Sequence, residues 1–268
     1  TSNYVLSAMA EDGADFADAL AYAQRMGYAE TDPTTDVDGT DAAHKLTILA
    51  SIGFGMPLRL DRVYREGITG ITRQDVTFAA RFGYRIKLLG IARTAPDGVE
   101  LRVHPTLIPD RHPLARVDGV TNAVLVEGDA VGETLYVGPG AGGSATASSV
   151  IADLVDIGRA QTLDAAQRVP YLAFHHDALV DLPVLPIEET ITASYLCVRV
   201  LDRPGVLAEL TRILGEREIS IEAILQQEPA PDEQAVPVVL LTKPTREREL
   251  RDAVARIGRL NSVVGPIT

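Results

Sequence analysis

One cysteine, Cys197, is all the chain has among 268 residues, so no disulfide can form within it, and such sparing use points to a reducing compartment, the cytoplasm. It lies in the apolar stretch YLCVRVL, where packing of a small side chain explains it better than nucleophilic chemistry does. Tryptophan is absent and aromatics make up 5% of the residues, and no basic patch with interleaved aromatics is present. Positive charge is also scarce: 25 Lys and Arg against 37 Asp and Glu leave a net charge of −12, which argues against non-specific binding to nucleic acid or an anionic membrane. No uninterrupted apolar run is long enough to span a bilayer, and no signal peptide is recognisable. The five histidines form no ligand series: His175 and His176 are adjacent and point apart, His104 and His112 flank proline-rich turns, and His44 lies on another part of its helix surface from its neighbour Lys45. No metal site is expected.

What the chain does have is a dense block of acids, GYAETDPTTDVDGTDAAHK, from Gly27 to Lys45. Pro33, the Asp/Thr run and Gly39 are turn formers, so residues 30–39 read as an irregular loop. Thr40 then reads as an N-cap and Asp41 falls in the first helical turn, where a negative charge meets the positive end of the helix dipole. The helix AAHKLTILASI should stop near Gly53. Asp41 and Lys45 are four apart and share a face. If the loop turns Glu30 and Asp36 the same way, the segment offers anions for a ligand ammonium and one cation able to donate a proton. The same residues also fit a solvated acidic loop beside an exposed Asp–Lys pair worth only about 0.3–0.5 kcal/mol. A calcium loop fits less well, because Thr34 and Lys45 stand where its series needs an acid or amide and a glutamate.

A second block, GPGAGGSATASSVIADL, places Gly138, Gly140 and Gly143 in a G-x-G-x-x-G spacing between a strand-like ETLYV and a helix-like run. The following AQTLDAAQRVPYLAF contains Pro170 and offers no second parallel strand ending in an acid, so an independent Rossmann unit is not expected. Tight packing of small residues explains the glycines as well.

The rest of the chain reads as a mixed sheet with covering helices followed by a smaller unit. Residues 16–26 read as a helix, as do 75–82; RIKLLGIAR, VELRVHPTLI, AVLVEGDA and ETLYVG read as successive strands. VPYLAFHHD and LPVLP belong to a connector. From Ser194 the pattern becomes strand, DRPG, helix, strand, strand, helix and a last strand over SVVGPI, which fits a βαββαβ ferredoxin-like unit. A chain of this length and 46% hydrophobic content can bury a core in each of two domains.

The acid block, with its GY-E-DP-D-G-D-K series, resembles the signature of homoserine dehydrogenases. The opening TSNYVLSAM is similar to the segment after that family's nucleotide-binding domain, and the glycine block to its return element near the cofactor. The DRPGVLAEL turn resembles that of ACT domains, small regulatory modules that bind amino acids. The resemblance implies a homoserine dehydrogenase catalytic and dimerisation domain over 1–158, a connector over 159–190 and an ACT domain over 191–268. It implies NAD- or NADP-dependent interconversion of L-aspartate 4-semialdehyde and L-homoserine, on the route to threonine, methionine and isoleucine. Lys45 would then be the general acid and base, with Asp41 beside it in catalysis. Glu30, Asp36, Asp41, Lys45 and Thr1 would bind the substrate. Gly138, Gly140 and Gly142 would approach the cofactor, and Asp202, Gly205 and Val206 would meet a regulatory ligand, with threonine the effector suggested by the pathway. A homodimer or homotetramer is implied. The family's dinucleotide fold lies upstream of residue 1, so the chain reads as a fragment, inactive alone. The alternative is a stand-alone amino-acid-binding regulatory module without chemistry of its own.

Overall fold

The computed structural model describes residues 1–164, 167–170, 172–227 and 234–268. Part of the expected connector, residues 165, 166 and 171, lies outside the described residues. Two compact units emerge, Thr1–Val184 and Leu185–Thr268.

In the first unit, helical spacing of apolar residues builds α1 (Ser2–Glu11), which buries Val5, Leu6 and Met9, and α2 (Phe16–Arg25), which buries Ala19 and Ala23. The acid block is more ordered than a bare loop. Thr34–Val37 forms a single helical turn, α3, after Pro33, whose fixed φ suits a helix start. The long helix α4 (Thr40–Phe54) follows. Its N-cap is Gly39 rather than Thr40, at φ 86°, and it ends one turn-residue pair later than expected, on Gly55 rather than Gly53, at φ 62°. Both glycines occupy the left-handed region that disfavours other residues.

After the short β1 (Tyr64–Arg65) comes α5 (Arg73–Arg81), started by a capping box between Thr72 and Asp75. Then β2 (Tyr84–Ala95) and β3 (Gly98–Pro109) pair antiparallel over their whole length, while β1 adds to β3 in parallel. The hairpin β4 (Thr121–Gly128) and β5 (Gly132–Pro139) forms a separate two-stranded sheet, so the expected strands divide between two sheets. The chain leaves β5 through the glycine turn into α6 (Gly143–Gln161). Between α1, α5 and β2 lies one core, with Val5, Leu6, Met9, Ile68, Val76 and Ile86; between α4 and β3 lies another, with Ala43, Leu46, Ala50, Val99, Leu101 and Val103. Seating α4 on β3 through Ala43, Leu46 and Ala50 leaves the Asp41 and Lys45 positions facing outward.

The second unit begins with β6 (Ile191–Thr192) and β7 (Tyr195–Leu201), then α7 (Val206–Gly215), β8 (Ile221–Gln226), β9 (Ala235–Thr242), β10 (Thr245–Arg246) and α8 (Glu247–Ile257). The main sheet runs β7-β9-β8, antiparallel throughout. In place of a regular last strand over SVVGPI, the tail meets β7 through an antiparallel bridge, Val200 to Val263. Reciprocal bonds between Cys197 and Thr268, 2.8 and 3.1 Å, continue that contact. The tail thus takes the outer position beside β7, giving the strand order of a ferredoxin-like fold. Leu210, Leu214, Val198, Val236 and Ile257 fill its core against the two helices.

Candidate functional site

The acid block is anchored residue by residue. Asp32 Oδ1 accepts from the Thr34 N–H at 3.2 Å and its hydroxyl at 2.6 Å, starting α3. Asp38 Oδ1 accepts from the Thr40 N–H at 2.8 Å, starting α4. A bond from the Thr40 side chain, helped by this N–H and the Arg65 charge, holds the Asp38 carboxyl below its ordinary pKa against the opposing effect of burial. Thr40 is therefore not the N-cap its sequence suggests, because the capping oxygen comes from two residues upstream and leaves Gly39 to make the turn. Backbone from the β1 side presses on the block: the Ile68 N–H donates to Val37 O at 2.8 Å. A Cβ on Gly67 would lie 2.2 Å from Val37 O.

Lys45 Nζ meets Asp41 Oδ2 at 2.6 Å, with the two side chains 60% and 48% exposed. At that exposure the pair adds only about 0.3–0.5 kcal/mol to stability, so its position matters more for chemistry than for folding. Thr1 sits beside it. Its backbone nitrogen lies within electrostatic reach of Asp36, Asp41 and Lys45, so the four residues share one neighbourhood. The Thr1 hydroxyl donates to Tyr28 O at 2.5 Å, and the Ser2 hydroxyl donates to Asp36 O. Glu30 enters differently: its backbone N–H donates to Asp36 Oδ2 at 3.3 Å, while the residue is exposed. The Gln24 side-chain amide steadies this stretch by donating to Glu30 O at 3.2 Å and Thr31 O at 3.1 Å. The structure therefore brings Thr1, Asp36, Asp41 and Lys45 together, and joins Glu30 through its backbone.

Ser2, Gln24, Asp38 and Gly67 were not found by sequence reasoning. Ser2 finds its partner 34 positions away and Gln24 six and seven positions away, so no short spacing marks them, while Asp38 bonds Thr40 only two positions on, a local signal that could have found it.

The glycine turn lies between β5 and α6 in the same unit. The Gly140 N–H donates to Val120 O at 2.9 Å. A Cβ there would fall 2.0 Å from the Asn122 side-chain nitrogen. Gly142 caps α6 at φ 120°. The helix itself buries no residue and exposes Val150, Ile151, Leu154 and Val155 along one side.

In the second unit, Gly205 caps α7 at φ 93° and Val206 is its first, buried residue. The Asp202 N–H donates to Gln234 O at 3.0 Å, and Gln226 Nε2 approaches Asp202 Oδ1 at 3.5 Å. Among the described residues no group of three or more His, Cys, Asp or Glu is arranged to hold a metal ion, and no helix is long and apolar enough to cross a membrane.

Comparison with known proteins gives these geometries a context. The homoserine dehydrogenase family model matches residues 1–155 and the ACT domain model matches residues 194–261. The homoserine dehydrogenase of Pseudomonas aeruginosa is 55% identical over 267 residues, covering 100% of this chain and 62% of that protein. That of Neisseria gonorrhoeae is 47% identical over 268 residues, covering 100% and 61%. The crystal structure of a homoserine dehydrogenase from Thiobacillus denitrificans matches with a TM-score of 0.91 at 55% identity, covering 100% of this chain and 60% of that one. The chain spans about three fifths of the length of these relatives.

Proposed function

The chain belongs to the homoserine dehydrogenase family, and from that premise we propose that it forms the substrate-binding and proton-transferring part of an enzyme interconverting L-aspartate 4-semialdehyde and L-homoserine, in the biosynthesis of threonine, methionine and isoleucine. The observation that carries this reading is the Lys45–Asp41 pair, 2.6 Å apart, on the outward side of α4 beside Thr1 and Asp36. An amino-acid sensor needs anions for an ammonium group, yet it has no use for a proton donor aimed at the same place.

The division of labour follows from charge. Glu30, Asp36 and Asp41 accept hydrogen bonds from the substrate ammonium, and Thr1 borders the same space. Reduction of a carbonyl leaves an alkoxide, so a proton delivered from Lys45 Nζ to that oxygen lowers the barrier, typically by a factor of about 10²–10⁴. In the oxidative direction Lys45 takes the hydroxyl proton, which requires the neutral amine. A ligand ammonium that draws Asp41 to itself weakens the ion pair and releases Lys45 for that step.

NAD or NADP supplies or accepts the hydride when bound. The turn at Gly138, Gly140 and Gly142 fits a close backbone approach to such a group at Gly138 and Gly142, where a Cβ would meet nothing within 4 Å, while the missing side chain of Gly140 makes room for Asn122. In this reading the nucleotide is held mainly by a dinucleotide-binding domain outside these 268 residues, and the bare apolar side of α6 packs against that domain. The chain by itself is then inactive. A regulatory role for the second unit fits the Gly205 turn, which opens α7 beside Asp202 and Val206, so that N–H groups of its first turn can receive an amino-acid carboxylate, with threonine the candidate effector. The enzyme works as a homodimer or homotetramer in the cytoplasm.

Calorimetry separates this reading from a stand-alone amino-acid-binding module. Homoserine binding that Asp41→Asn abolishes, without tight cofactor binding by the chain, supports the enzyme reading. Threonine binding without any homoserine binding overturns it.

A further inference from the structure

We propose that Asn3 is a positioning residue that locks the substrate loop to the glycine turn, with Lys87 fixing the orientation of its amide; this rests on the functional reading above. The first turn of α1 starts in the site: Thr1 bonds Tyr28 O and Ser2 bonds Asp36 O. The next residue reaches the other way. Asn3 Nδ2 donates to Val117 O and Thr121 O, both at 2.9 Å, and has Gly119 O at 3.2 Å. Its two hydrogens serve the two nearer carbonyls.

Which end of the amide faces the loop is settled by Lys87, whose side chain is only 7% exposed. Lys87 Nζ donates to Asn3 Oδ1 at 3.0 Å, Val117 O at 2.6 Å and Asp118 Oδ1 at 2.8 Å. An ammonium has three donors and no acceptor, so the Asn3 atom facing it is the oxygen. Arg85 Nη1 holds both oxygens of Asp118, at 3.1 and 3.2 Å. One turn along α1, the Ser7 hydroxyl donates to Asn3 O at 2.8 Å and accepts from the Gly119 N–H at 3.1 Å.

The anchored segment, Val117 to Thr121, backs the glycine turn directly. Val120 O accepts the Gly140 N–H at 2.9 Å, and Thr121 pairs with Pro139 in the hairpin. One peptide unit therefore separates the Ser2 bond to the acid block from the Asn3 bonds to the strand behind the cofactor turn. Hydride transfer is sensitive to such registration, because a misplacement of about 1 Å can cost about 10²-fold in rate.

Asn3→Asp separates the two ties: it keeps an acceptor for Lys87 and loses both N–H donations to the loop. In the 268-residue chain, hydrogen exchange at the Gly140 amide should speed up by about tenfold or more, as expected when a local opening becomes easier, while homoserine affinity stays within about threefold of wild type. In the enzyme that includes the nucleotide-binding domain, kcat for homoserine oxidation should fall by about 10²-fold with little change in KM. The primary isotope effect from deuterium at the homoserine hydroxymethyl carbon should also rise. A role limited to folding would lower the yield of active protein without raising that isotope effect. Wild-type exchange at Gly140, or a fall in kcat with an unchanged isotope effect, overturns the proposal. If Asn3→Asp does not fold, Ser7→Ala tests the same link: the pattern should recur at smaller size, and wild-type behaviour in both exchange and isotope effect overturns it. Failure of the wild-type chain to bind homoserine would refute the functional reading alone, since the exchange arm does not use that ligand.

Discussion

Gly67→Ala should damage the candidate site without touching any residue that faces it. A Cβ at this position would lie 2.2 Å from Val37 O and 2.5 Å from Asp38 Cα. Ordinary contact begins well beyond 3 Å, so one backbone must withdraw from the other by roughly 1 Å. Both contacts are main chain, with no flexible side-chain end to swing aside. The bond from the Ile68 N–H to Val37 O, now 2.8 Å, stretches or breaks with that withdrawal. Overpacking of this kind costs about 1–3 kcal/mol. For a unit of this size each kcal/mol lowers Tm by roughly 2–4 °C. The displaced residues sit directly between Asp36 and the Gly39–Thr40 start of α4, so the carboxylates shift relative to Lys45. Calorimetry should find homoserine affinity reduced by about tenfold or more, a loss of about 1.4 kcal/mol. A Gly67→Ala chain with wild-type Tm and wild-type affinity would show that the acid block is not held from this side, and would refute the reasoning.

Lys45→Met and Asp41→Asn in the complete enzyme should each lower turnover by about 10²–10⁴-fold with the fold intact; turnover within a few-fold of wild type for both would remove them from catalysis. Asp118 gives a pH dependence: burial raises its pKa, but the bonds and charges of Lys87 and Arg85 outweigh that and hold it below the ordinary value. A depressed folded pKa adds stability that is present above the usual carboxylate pKa of about 4 and lost as pH falls through the folded value. Acid unfolding should therefore be less steep in Asp118→Asn than in wild type, and identical acid limbs would argue against the buried network. Leu214, fully buried in the second unit, should cost about 2–5 kcal/mol as Leu214→Ala, read by urea unfolding of that unit; a cost below about 1 kcal/mol would contradict the packing described.

Local patterns were enough to find much of this structure. The four-residue interval between Asp41 and Lys45 gives the ion pair because a helix repeats every 3.6 residues, and the alternation after Ser194 gives the ferredoxin-like unit because its strands and helices each bury one regular face. Capping was read one residue off, since Asp38 supplies the oxygen while Gly39 turns the chain. The helical turn Thr34–Val37 was hidden under residues that are common in loops. Tail pairing with β7 came through as a bridge and a few bonds, because Gly265 and Pro266 interrupt any longer ladder. Nothing local announces Asn3, Lys87 or Asp118: the bonds of their side chains described above join positions 30 to 118 residues apart. Such contacts exist only once the helices and the sheet have packed.

The most direct measurement is a crystal structure of the chain with L-homoserine. The account predicts the ligand ammonium within about 3.2 Å of carboxylate oxygens from Glu30, Asp36 or Asp41, and its hydroxyl within the same distance of Lys45 Nζ. A homoserine bound elsewhere, or one whose hydroxyl points away from Lys45 while its ammonium avoids all three acids, would contradict it.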